Sequence, residues 1–249
     1  MNHEEYEVMY QVEDHHWWYL GMEQITCQLL DRALPHNGLQ KPLSILDAGC
    51  GTGAVMQYLG RYGEVAGFDF SAEALPFSKQ RGHQCLTQAS VMAMPYADNS
   101  FDLVTSFDVI CEIGVDDGTA LREFARVVKP GGLVLMRLPA YQWMRGKHDI
   151  AVHSAHRYTR GEIKTKLQRS ALAPVHLSYA NTFLFPVAAA KRFSERIIAP
   201  KQTGSDLTLD PGSLNGVLCA ILSAEAPLVR SVGLPFGLTL VALARKDSG

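Results

Sequence analysis

Between residues 43 and 138, short apolar runs alternate with segments in which apolar residues recur at helical spacing. The apolar runs predict strands at Leu43–Leu46, Glu64–Phe70, Phe101–Phe107 and Leu133–Leu138. The segments between them predict helices at Ala54–Tyr62, Ala72–Arg81 and Thr119–Val128. Because a crossover between parallel strands needs a covering helix, this alternation predicts an α/β fold with a mostly parallel sheet and helices on both faces.

The C-terminal part of the chain extends this pattern less regularly. Val175–Phe185 and Leu238–Ala244 predict two further strands, and Val187–Ile198 and Leu214–Arg230 predict helices between them. The stretch Pro200–Gly212, in which Gly, Ser, Thr, Asp and Pro cluster, predicts a loop. We expect a seven-stranded sheet whose last strand runs antiparallel.

The N-terminal segment is rich in aromatic side chains. Five occur within the first nineteen residues, namely Tyr6, Tyr10, Trp17, Trp18 and Tyr19. Aromatic burial could hold a pair of N-terminal helices on the sheet, or the same segment could form a lid over a ligand. The sequence leaves both interpretations open.

Composition excludes several classes of protein. Of the 249 residues, 47% are hydrophobic, which is enough for a sizeable core and rules out disorder as a description of the whole chain. The 23 basic residues nearly balance the 25 acidic ones, so the broad basic field of a nucleic-acid binder is missing, and we expect no nucleic-acid partner. Five scattered cysteines without a C-x-x-C pair fit neither a disulfide framework nor a zinc site, and we expect no metal.

The same observations favour a cytoplasmic location. Unpaired cysteines fit a reducing compartment. The first fourteen residues contain five acidic side chains, which is the wrong charge for a secretory leader. The most apolar stretch, Leu214–Val229, is interrupted by Asn215 and Glu225, so no membrane span is expected.

The strongest local signal follows the first predicted strand, in the sequence Leu46-Asp47-Ala48-Gly49-Cys50-Gly51-Thr52-Gly53-Ala54. Its glycines let the backbone turn tightly and let a ligand approach the main chain at the start of a helix. Asp69 closes the next predicted strand, twenty positions after Gly49, where a carboxylate can accept hydrogen bonds from ribose hydroxyls. Together these features predict a ribonucleoside site at the carboxyl edge of the sheet.

The charge of Asp47 discriminates between two nucleoside ligands. Gly49, Gly51 and Ala54 also match the G-x-G-x-x-G/A fingerprint of dinucleotide binding, so the glycines alone leave NAD open. Asp47 lies two residues before the first glycine, where a carboxylate repels a pyrophosphate and attracts a cation. S-adenosylmethionine has an ammonium group, a sulfonium and no phosphate. Asp47 therefore favours S-adenosylmethionine over NAD.

Four segments resemble, in the expected order, motifs of the class I S-adenosylmethionine-dependent methyltransferases. Ile45–Gly53 is similar to the first motif of that family, and Gly67–Ser71 is similar to its ribose-binding strand end. Met94–Asp102 resembles the segment before the fourth strand, and Leu121–Gly132 resembles the helix and turn before the fifth. The resemblance covers residues 43–138 and is to bacterial methyltransferases that act on small molecules. It implies a Rossmann-like fold, with S-adenosylmethionine as cofactor and S-adenosylhomocysteine as product.

The resemblance implies roles for individual residues. Asp47 and the glycine turn would hold the methionine part of the cofactor, Asp69 its ribose and Phe70 its adenine, and Phe107 would line the pocket. The full set of predicted cofactor-binding residues is Asp47, Gly49, Cys50, Gly51, Gly53, Asp69, Phe70, Ser90, Val91 and Phe107.

The chain departs from the family pattern at two positions. Ser90 stands where an aspartate often receives the adenine amino group, so the backbone of Val91 is expected to assist in adenine recognition. Cys111-Glu112 stands where relatives often have a Glu-His pair, so no role of that histidine can be transferred.

The segment after the predicted fifth strand holds the candidate residues for the methyl acceptor. Between Arg137 and Arg169 there are eight basic residues against two acidic ones. This patch is either a solvated helix face with a charged loop, or a place where Arg157 or Lys147 binds an anionic acceptor. His148 and His156 are the candidate catalytic residues, because an imidazole near neutral pKa can take a proton from a hydroxyl; a structural role is the alternative for each.

These observations predict methyl transfer from S-adenosylmethionine to a small-molecule acceptor that is anionic or partly apolar. Oxygen is the favoured target atom, with nitrogen and carbon open. One alternative is a non-catalytic module that binds S-adenosylmethionine to sense it or to regulate a partner. A nicotinamide-dependent oxidoreductase is a weaker alternative because of the charge of Asp47.

The expected organisation is a single methyltransferase domain over residues 1–249. Residues 1–40 would form an N-terminal helical cover, 41–172 the nucleoside-binding core, and 173–249 the C-terminal strands with inserted helices.

Overall fold

The sheet organises the structure, a computed structural model that describes residues 3–146, 149–150, 152–197 and 212–247. Its strands are β1 (Leu43–Ala48), β2 (Gly63–Asp69), β3 (Leu86–Gln88), β4 (Phe101–Phe107), β5 (Val128–Pro139), β6 (Leu172–Ala180) and β7 (Thr239–Lys246). They lie in the order β3-β2-β1-β4-β5-β7-β6. The first five strands pair in parallel, and β7 is antiparallel to both of its neighbours. The predicted fold class is confirmed.

Helices cover both faces of this sheet. They are α1 (His3–Val12), α2 (Trp17–His36), α3 (Ala54–Leu59), α4 (Leu75–Gln80), α5 (Asp117–Val127), α6 (Arg160–Arg169), α7 (Phe185–Ile197), α8 (Asn215–Ser223) and α9 (Ala226–Ser231). On one face α5 and α6 bury Phe124 and Leu167 against the sheet. On the other face α2, α8 and α9 bury residues such as Leu30, Leu222 and Val229. Strand side chains alternate between the two faces, and this alternation places Asp47 on the same face as Ile45 and α2.

Most predicted elements are confirmed, with shifted ends. The prediction missed β3, because three residues are too few to show a strand period. β6 begins at Leu172 and ends at Ala180, not at Phe185, because Phe185 starts α7. Residues 129–132 were predicted as a turn. They fall inside β5 but bulge from its pairing with β4, since Phe101 pairs with Val128 whereas Leu103 pairs with Leu133.

The stretch predicted as one helix, Leu214–Arg230, is broken in the structure. A 3₁₀ turn at Gly212–Leu214 precedes α8, and α8 and α9 meet at Glu225. The Glu225 side chain is fully buried and accepts hydrogen bonds from the backbone N–H groups of Thr182 (3.0 Å) and Phe183 (2.7 Å). Gly212–Ser231 is nevertheless long and apolar enough to cross a membrane by length and composition, and 22% of it is buried. Core helices of soluble proteins share this length and composition.

Candidate functional site

The glycine turn lies at the carboxyl end of β1 and is held against β2. The backbone N–H groups of Gly49 and Cys50 both donate to the carbonyl oxygen of Phe68, at 2.8 and 2.9 Å. Gly49 has a φ of 83°. A Cβ at this position would lie 2.3 Å from Cγ2 of Val109, so both backbone conformation and space require glycine here. The turn is thus held between the end of β2 and the segment after β4.

Asp47 presents an unsatisfied carboxylate oxygen beside this turn. The residue is 2% exposed, and its Oδ1 accepts a 2.7 Å hydrogen bond from the Thr105 hydroxyl. Its Oδ2 is buried and has no hydrogen-bond partner. Burial raises the pKa of Asp47 to about 7, opposed by the Thr105 hydrogen bond. A buried carboxylate oxygen without a partner is costly, and a cationic ligand group would satisfy it.

Asp69 joins the glycine turn to the end of β2. Its Oδ2 accepts a hydrogen bond from the Gly51 N–H and its Oδ1 accepts one from the Ser71 N–H, both at 2.9 Å. Burial raises the pKa of Asp69, and these two backbone donors oppose the shift. Since a carboxylate oxygen has two acceptor sites, each oxygen can still accept a hydrogen bond from a ligand hydroxyl.

A cavity of about 910 Å³ opens above these residues. It brings together all but one of the predicted cofactor-binding residues: Asp47, Gly49, Cys50, Gly51, Asp69, Phe70, Ser90, Val91 and Phe107. The exception is Gly53, which does not line the cavity. It precedes α3 with a φ of 88° and packs against Ser78 and His83. The structure therefore gives Gly53 a place in the turn and the helix start, not at the cavity surface.

The side of the cavity predicted for adenine is formed by the end of β2 and the segment after β3. Phe70 is 76% exposed, so its ring is available for stacking at the cavity rim. The Ala89 N–H donates to the carbonyl oxygen of Asp69 at 3.0 Å, which brings Ser90 and Val91 close to the ribose-binding candidate. The Ser90 hydroxyl accepts a 3.2 Å hydrogen bond from the Met92 N–H.

Helix α1 covers the glycine turn, which the sequence patterns did not specify. Tyr6 and Met9 line the cavity. At the helix end, the buried Glu13 accepts a hydrogen bond from the Thr52 hydroxyl and forms a 2.9 Å ion pair with Arg81. The sequence signal for this cover was the high aromatic content of the segment. Both predicted roles, helices packed on the sheet and a lid over a ligand, place the segment over the body of the protein.

The side of the cavity away from Asp69 contains a buried arginine at the end of β5. Arg137 is 9% exposed, and its Nε donates a 2.8 Å hydrogen bond to Oδ2 of Asp108. Its guanidinium carbon lies 4.6 Å from the ring centre of Trp18 and 4.7 Å from that of Phe107. These distances are in the range of cation–π contacts. Arg137 belongs to the predicted basic patch in the sequence, whereas in the structure it lines the cavity.

Glu112 is a second cavity residue to which the sequence analysis gave no role. It lies on the loop after β4 and is only partly exposed. The pKa of Glu112 is raised to about 7, chiefly by burial and to a smaller extent by the nearby carboxylates Asp69 and Asp108. A carboxyl group with this pKa can take up or release a proton near neutral pH.

The structure places the candidate catalytic residue His156 outside the cavity. His156 does not line it, and Nε2 of His156 lies 2.8 Å from Oε1 of Glu162 on α6. His148 lies outside the described residues, as does Lys147. The sequence pattern could not reveal the partner that the start of α6 provides for His156.

The basic patch is also divided among separate partners. Arg157 lines the cavity, but its Nε and Nη2 contact the two oxygens of the buried Asp149 at 2.7 and 3.1 Å. Lys166 pairs with Asp117 at 2.9 Å. Both side chains are therefore engaged by carboxylates of the protein. Within the part of the chain that the structure describes, no group of three or more His, Cys, Asp and Glu side chains is placed to hold a metal ion.

Comparison with known proteins agrees with this geometry. Residues 46–136, from the end of β1 to β5, match the family model of the methyltransferase domain. Residues 46–136 therefore form a class I S-adenosylmethionine-dependent methyltransferase domain. The predicted family is thereby confirmed, and with it the class of cofactor: S-adenosylmethionine fits a site in which Asp47 has a buried oxygen free for a cationic group.

One relative matches part of this chain in sequence. The demethylmenaquinone methyltransferase of Staphylococcus aureus is 37% identical over 112 residues, which is 42% of this chain and 46% of the relative. The match thus spans less than half of either protein. This similarity supports the assignment of a methyltransferase domain and does not identify the methyl acceptor of this chain.

Solved structures share the methyltransferase fold over most of the chain. The protein in complex with the Trm112 methyltransferase activator from Haloferax volcanii has a TM-score of 0.60 and 19% identity, covering 98% of this chain and 94% of its own. Geranyl diphosphate C-methyltransferase from Streptomyces coelicolor, in complex with Mg²⁺, geranyl diphosphate and S-adenosyl-L-homocysteine, has a TM-score of 0.54 and 16% identity, covering 86% and 76%. At these identities the similarity establishes the fold alone.

Proposed function

We propose that the protein transfers a methyl group from S-adenosylmethionine to a small organic acceptor in the cavity. The observation that supports this most strongly is the buried, unpartnered Oδ2 of Asp47 beside the glycine turn. A cationic ligand group would satisfy that oxygen, whereas a pyrophosphate would leave it unpaired and would be repelled by it. This argument disfavours NAD on the same ground.

The predicted cofactor-binding residues suit an adenosyl ligand. Asp47 would bind the ammonium group, and Asp69 would accept hydrogen bonds from the ribose hydroxyls. Phe70 would stack on the adenine, with Ser90 and Val91 at its edge. When bound, S-adenosylmethionine supplies a methyl group made electrophilic by the adjacent sulfonium.

For proton removal we propose Glu112 in place of the histidines. It lines the cavity, and burial, with Asp69 and Asp108 adding to it, raises its pKa to about 7. A carboxylate with this pKa can accept the proton of a hydroxyl acceptor, which is consistent with oxygen as the first target atom to test. His156 has no part in the proposal, because its ring is engaged with Glu162 outside the cavity.

The acceptor is proposed to be small and at least partly apolar. The cavity volume of about 910 Å³ lies at the upper end of the range for small-molecule sites, so it can hold a donor and a compact acceptor together. Trp18, Phe107 and Met144 line it, which suits a ring or a short chain. The similarity to a demethylmenaquinone methyltransferase makes hydroxylated aromatic compounds and quinols the first class to test.

We further propose that residues 1–249 act as one domain in the cytoplasm, without a nucleic-acid substrate. In this proposal residues 1–40 cover the cavity and residues 173–249 complete the sheet. The nearly balanced charge of the chain, together with the pairing of Arg157 with Asp149 and of Lys166 with Asp117, supports the exclusion of nucleic acid.

The proposal is tested in two steps. Titration calorimetry should show that S-adenosylhomocysteine binds the protein more tightly than NAD, and the reverse preference would reject the assignment. S-adenosylmethionine with a radiolabelled methyl group is then incubated with phenols, quinols, amines and carboxylic acids, and any labelled product is identified by mass spectrometry. Tight binding of S-adenosylhomocysteine with no transfer to any of these compounds would favour a binding module that senses the ligand.

A further inference from the structure

Arg137 is a buried cationic residue that lines the cavity and has no role in the proposed function. Its side chain is nine-tenths buried at the end of β5, on the wall of the same cavity that Asp47 lines. Among the described residues, the hydrogen bond from Nε to Asp108 is the one polar contact that its guanidinium makes. The two terminal nitrogens, Nη1 and Nη2, are therefore left with hydrogen-bonding capacity inside a largely desolvated site.

The surroundings of Arg137 restrict how a ligand can approach it. The rings of Trp18 and Phe107 pack against the guanidinium at 4.6 and 4.7 Å. Asp108 occupies the Nε position. These contacts fix the plane of the group and leave its two terminal nitrogens for a ligand. A planar fork with two parallel N–H donors matches the two oxygens of a carboxylate.

We propose that Arg137 is a carboxylate-binding site of this cavity, with the ligand's two oxygens on Nη1 and Nη2. The proposal rests on the proposed function, since the cavity must take an adenosyl ligand for either source of the carboxylate to be present. One source is the amino-acid end of the methyl donor, which would place its ammonium group on Asp47. The other is a carboxylate on the methyl acceptor.

The proximity of Asp47 to Arg137 favours a carboxylate over other anions as the ligand group that Arg137 binds. Alternation along β1 and β5 puts both residues on the α2 side of the sheet, and Arg137 is close enough to lower the pKa of Asp47. A multiply charged anion such as a pyrophosphate would meet the Asp47 and Asp108 carboxylates. A single carboxylate, alone or next to an ammonium group, is compatible with that mixture of charges.

The experiment compares ligands that differ in the carboxylate. Titration calorimetry is done on the whole protein with S-adenosylhomocysteine, with its decarboxylated analogue that retains the ammonium group, and with 5′-methylthioadenosine, which lacks both groups. A second arm titrates benzoate into the protein saturated with S-adenosylhomocysteine. The variants are Arg137→Gln, Arg137→Lys and, as a control, Arg122→Gln, an exposed arginine of α5 outside the cavity lining.

If the donor supplies the carboxylate, wild type should prefer S-adenosylhomocysteine over the decarboxylated analogue by about 10- to 100-fold, as expected for charge-assisted hydrogen bonds. Arg137→Gln should remove that preference, and Arg137→Lys should retain part of it because the charge stays but the fork is lost. If the acceptor supplies it, the preference should be absent and Arg137→Gln should abolish benzoate binding. Arg122→Gln should behave as wild type in both arms.

Two outcomes overturn the proposal. The first is a wild-type protein that shows neither the carboxylate preference nor benzoate binding, a result that needs no variant to fold. The second is that Arg137→Gln retains the wild-type behaviour in both arms. Unchanged affinity for 5′-methylthioadenosine in each variant shows that the nucleoside part of the site is intact. If wild type binds none of the three adenosyl compounds, the proposed function fails as well, which distinguishes that failure from failure of the Arg137 assignment alone.

Discussion

The Thr105 hydroxyl donates a 2.7 Å hydrogen bond to Oδ1 of Asp47, and this contact from the neighbouring strand leaves Oδ2 buried without a partner. The carboxylate is thus oriented by β4 but only half satisfied by the protein. Half-satisfied buried carboxylates destabilise a fold, and such groups are characteristic of ligand sites.

Asp47→Asn should weaken binding of S-adenosylhomocysteine by about 10- to 100-fold, because a charge-assisted hydrogen bond to the ammonium group is replaced by a neutral contact. Titration calorimetry at pH 8 measures the loss. Asp98→Asn is the matched control, since Asp98 is exposed and pairs with Arg126 away from the cavity. Equal affinity of Asp47→Asn and wild type would contradict the role of Asp47.

The same substitution should stabilise the protein without ligand at high pH. The folded-state pKa of Asp47, about 7, lies above its ordinary value of 3.8, so the folded state binds more protons than the unfolded state between those values. The free energy of unfolding therefore falls as pH rises through this window, and Asp47→Asn does not suffer this loss. The free energy of unfolding of Asp47→Asn should exceed that of wild type by roughly 2–4 kcal/mol at pH 8. Near pH 4 the two free energies should differ little.

Denaturant unfolding of both proteins at pH 4, 6 and 8 measures this difference, and the comparison cancels the effect of groups that titrate in both. Saturating S-adenosylhomocysteine should narrow the difference at pH 8 by about 1.4–2.7 kcal/mol, the equivalent of a 10- to 100-fold affinity ratio, because the ligand stabilises wild type more than the variant. If the difference in free energy of unfolding is constant from pH 4 to pH 8, burial does not shift the pKa of Asp47.

Glu112→Gln tests the proposed proton acceptor. With a hydroxyl acceptor, kcat should fall by about 100-fold or more, while affinity for S-adenosylhomocysteine should change little. In wild type, kcat at saturating substrates should rise with pH through about 7, because the carboxylate must be deprotonated to accept a proton. The variant should lack this rise. If it retains both the rate and the pH profile, the acceptor is methylated without help from Glu112.

How far sequence reasoning reached depends on how local each feature is. β4 is predicted to the residue, because the apolar run Phe101–Phe107 ends in a polar position, Asp108. The glycine turn and Asp69 are also local, since their spacing follows from one β-α-β unit. Residues 129–132, predicted as a turn, lie inside β5 and bulge from its pairing with β4, because the strand extends on both sides of them.

The contacts around Arg137 were beyond such reasoning. Trp18, Phe107 and Arg137 come from α2, β4 and β5, and nothing in their local patterns indicates that they meet. The position of His156 outside the cavity could not be predicted for a similar reason. Glu162 forms the start of α6, and its contact with His156 depends on how the preceding loop folds back.

Glu13→Ala tests the cover that α1 forms over the glycine turn. Glu13 and Arg81 side chains are each 5% exposed, so removing the carboxylate should cost about 3 kcal/mol, the scale for breaking a buried ion pair. We expect faster hydrogen exchange in α1 and faster dissociation of S-adenosylhomocysteine. Asp14→Asn is the control, because Asp14 pairs with the same arginine but is 57% exposed. Identical exchange in α1 of Glu13→Ala and wild type would show that this ion pair does not hold the helix.

Gly49→Ala should both destabilise the protein and reduce ligand binding. A non-glycine residue at a φ of 83° costs about 1–2 kcal/mol. The added Cβ would also lie 2.3 Å from Cγ2 of Val109, which would force the loop after β4 away from the turn. The double variant with Val109→Ala separates the two effects, since it relieves the overlap and keeps the backbone strain. Its stability should recover part of the loss, and Val109→Ala alone supplies the reference in a double-mutant cycle. If Val109→Ala recovers nothing, the cost of Gly49→Ala arises from backbone conformation alone.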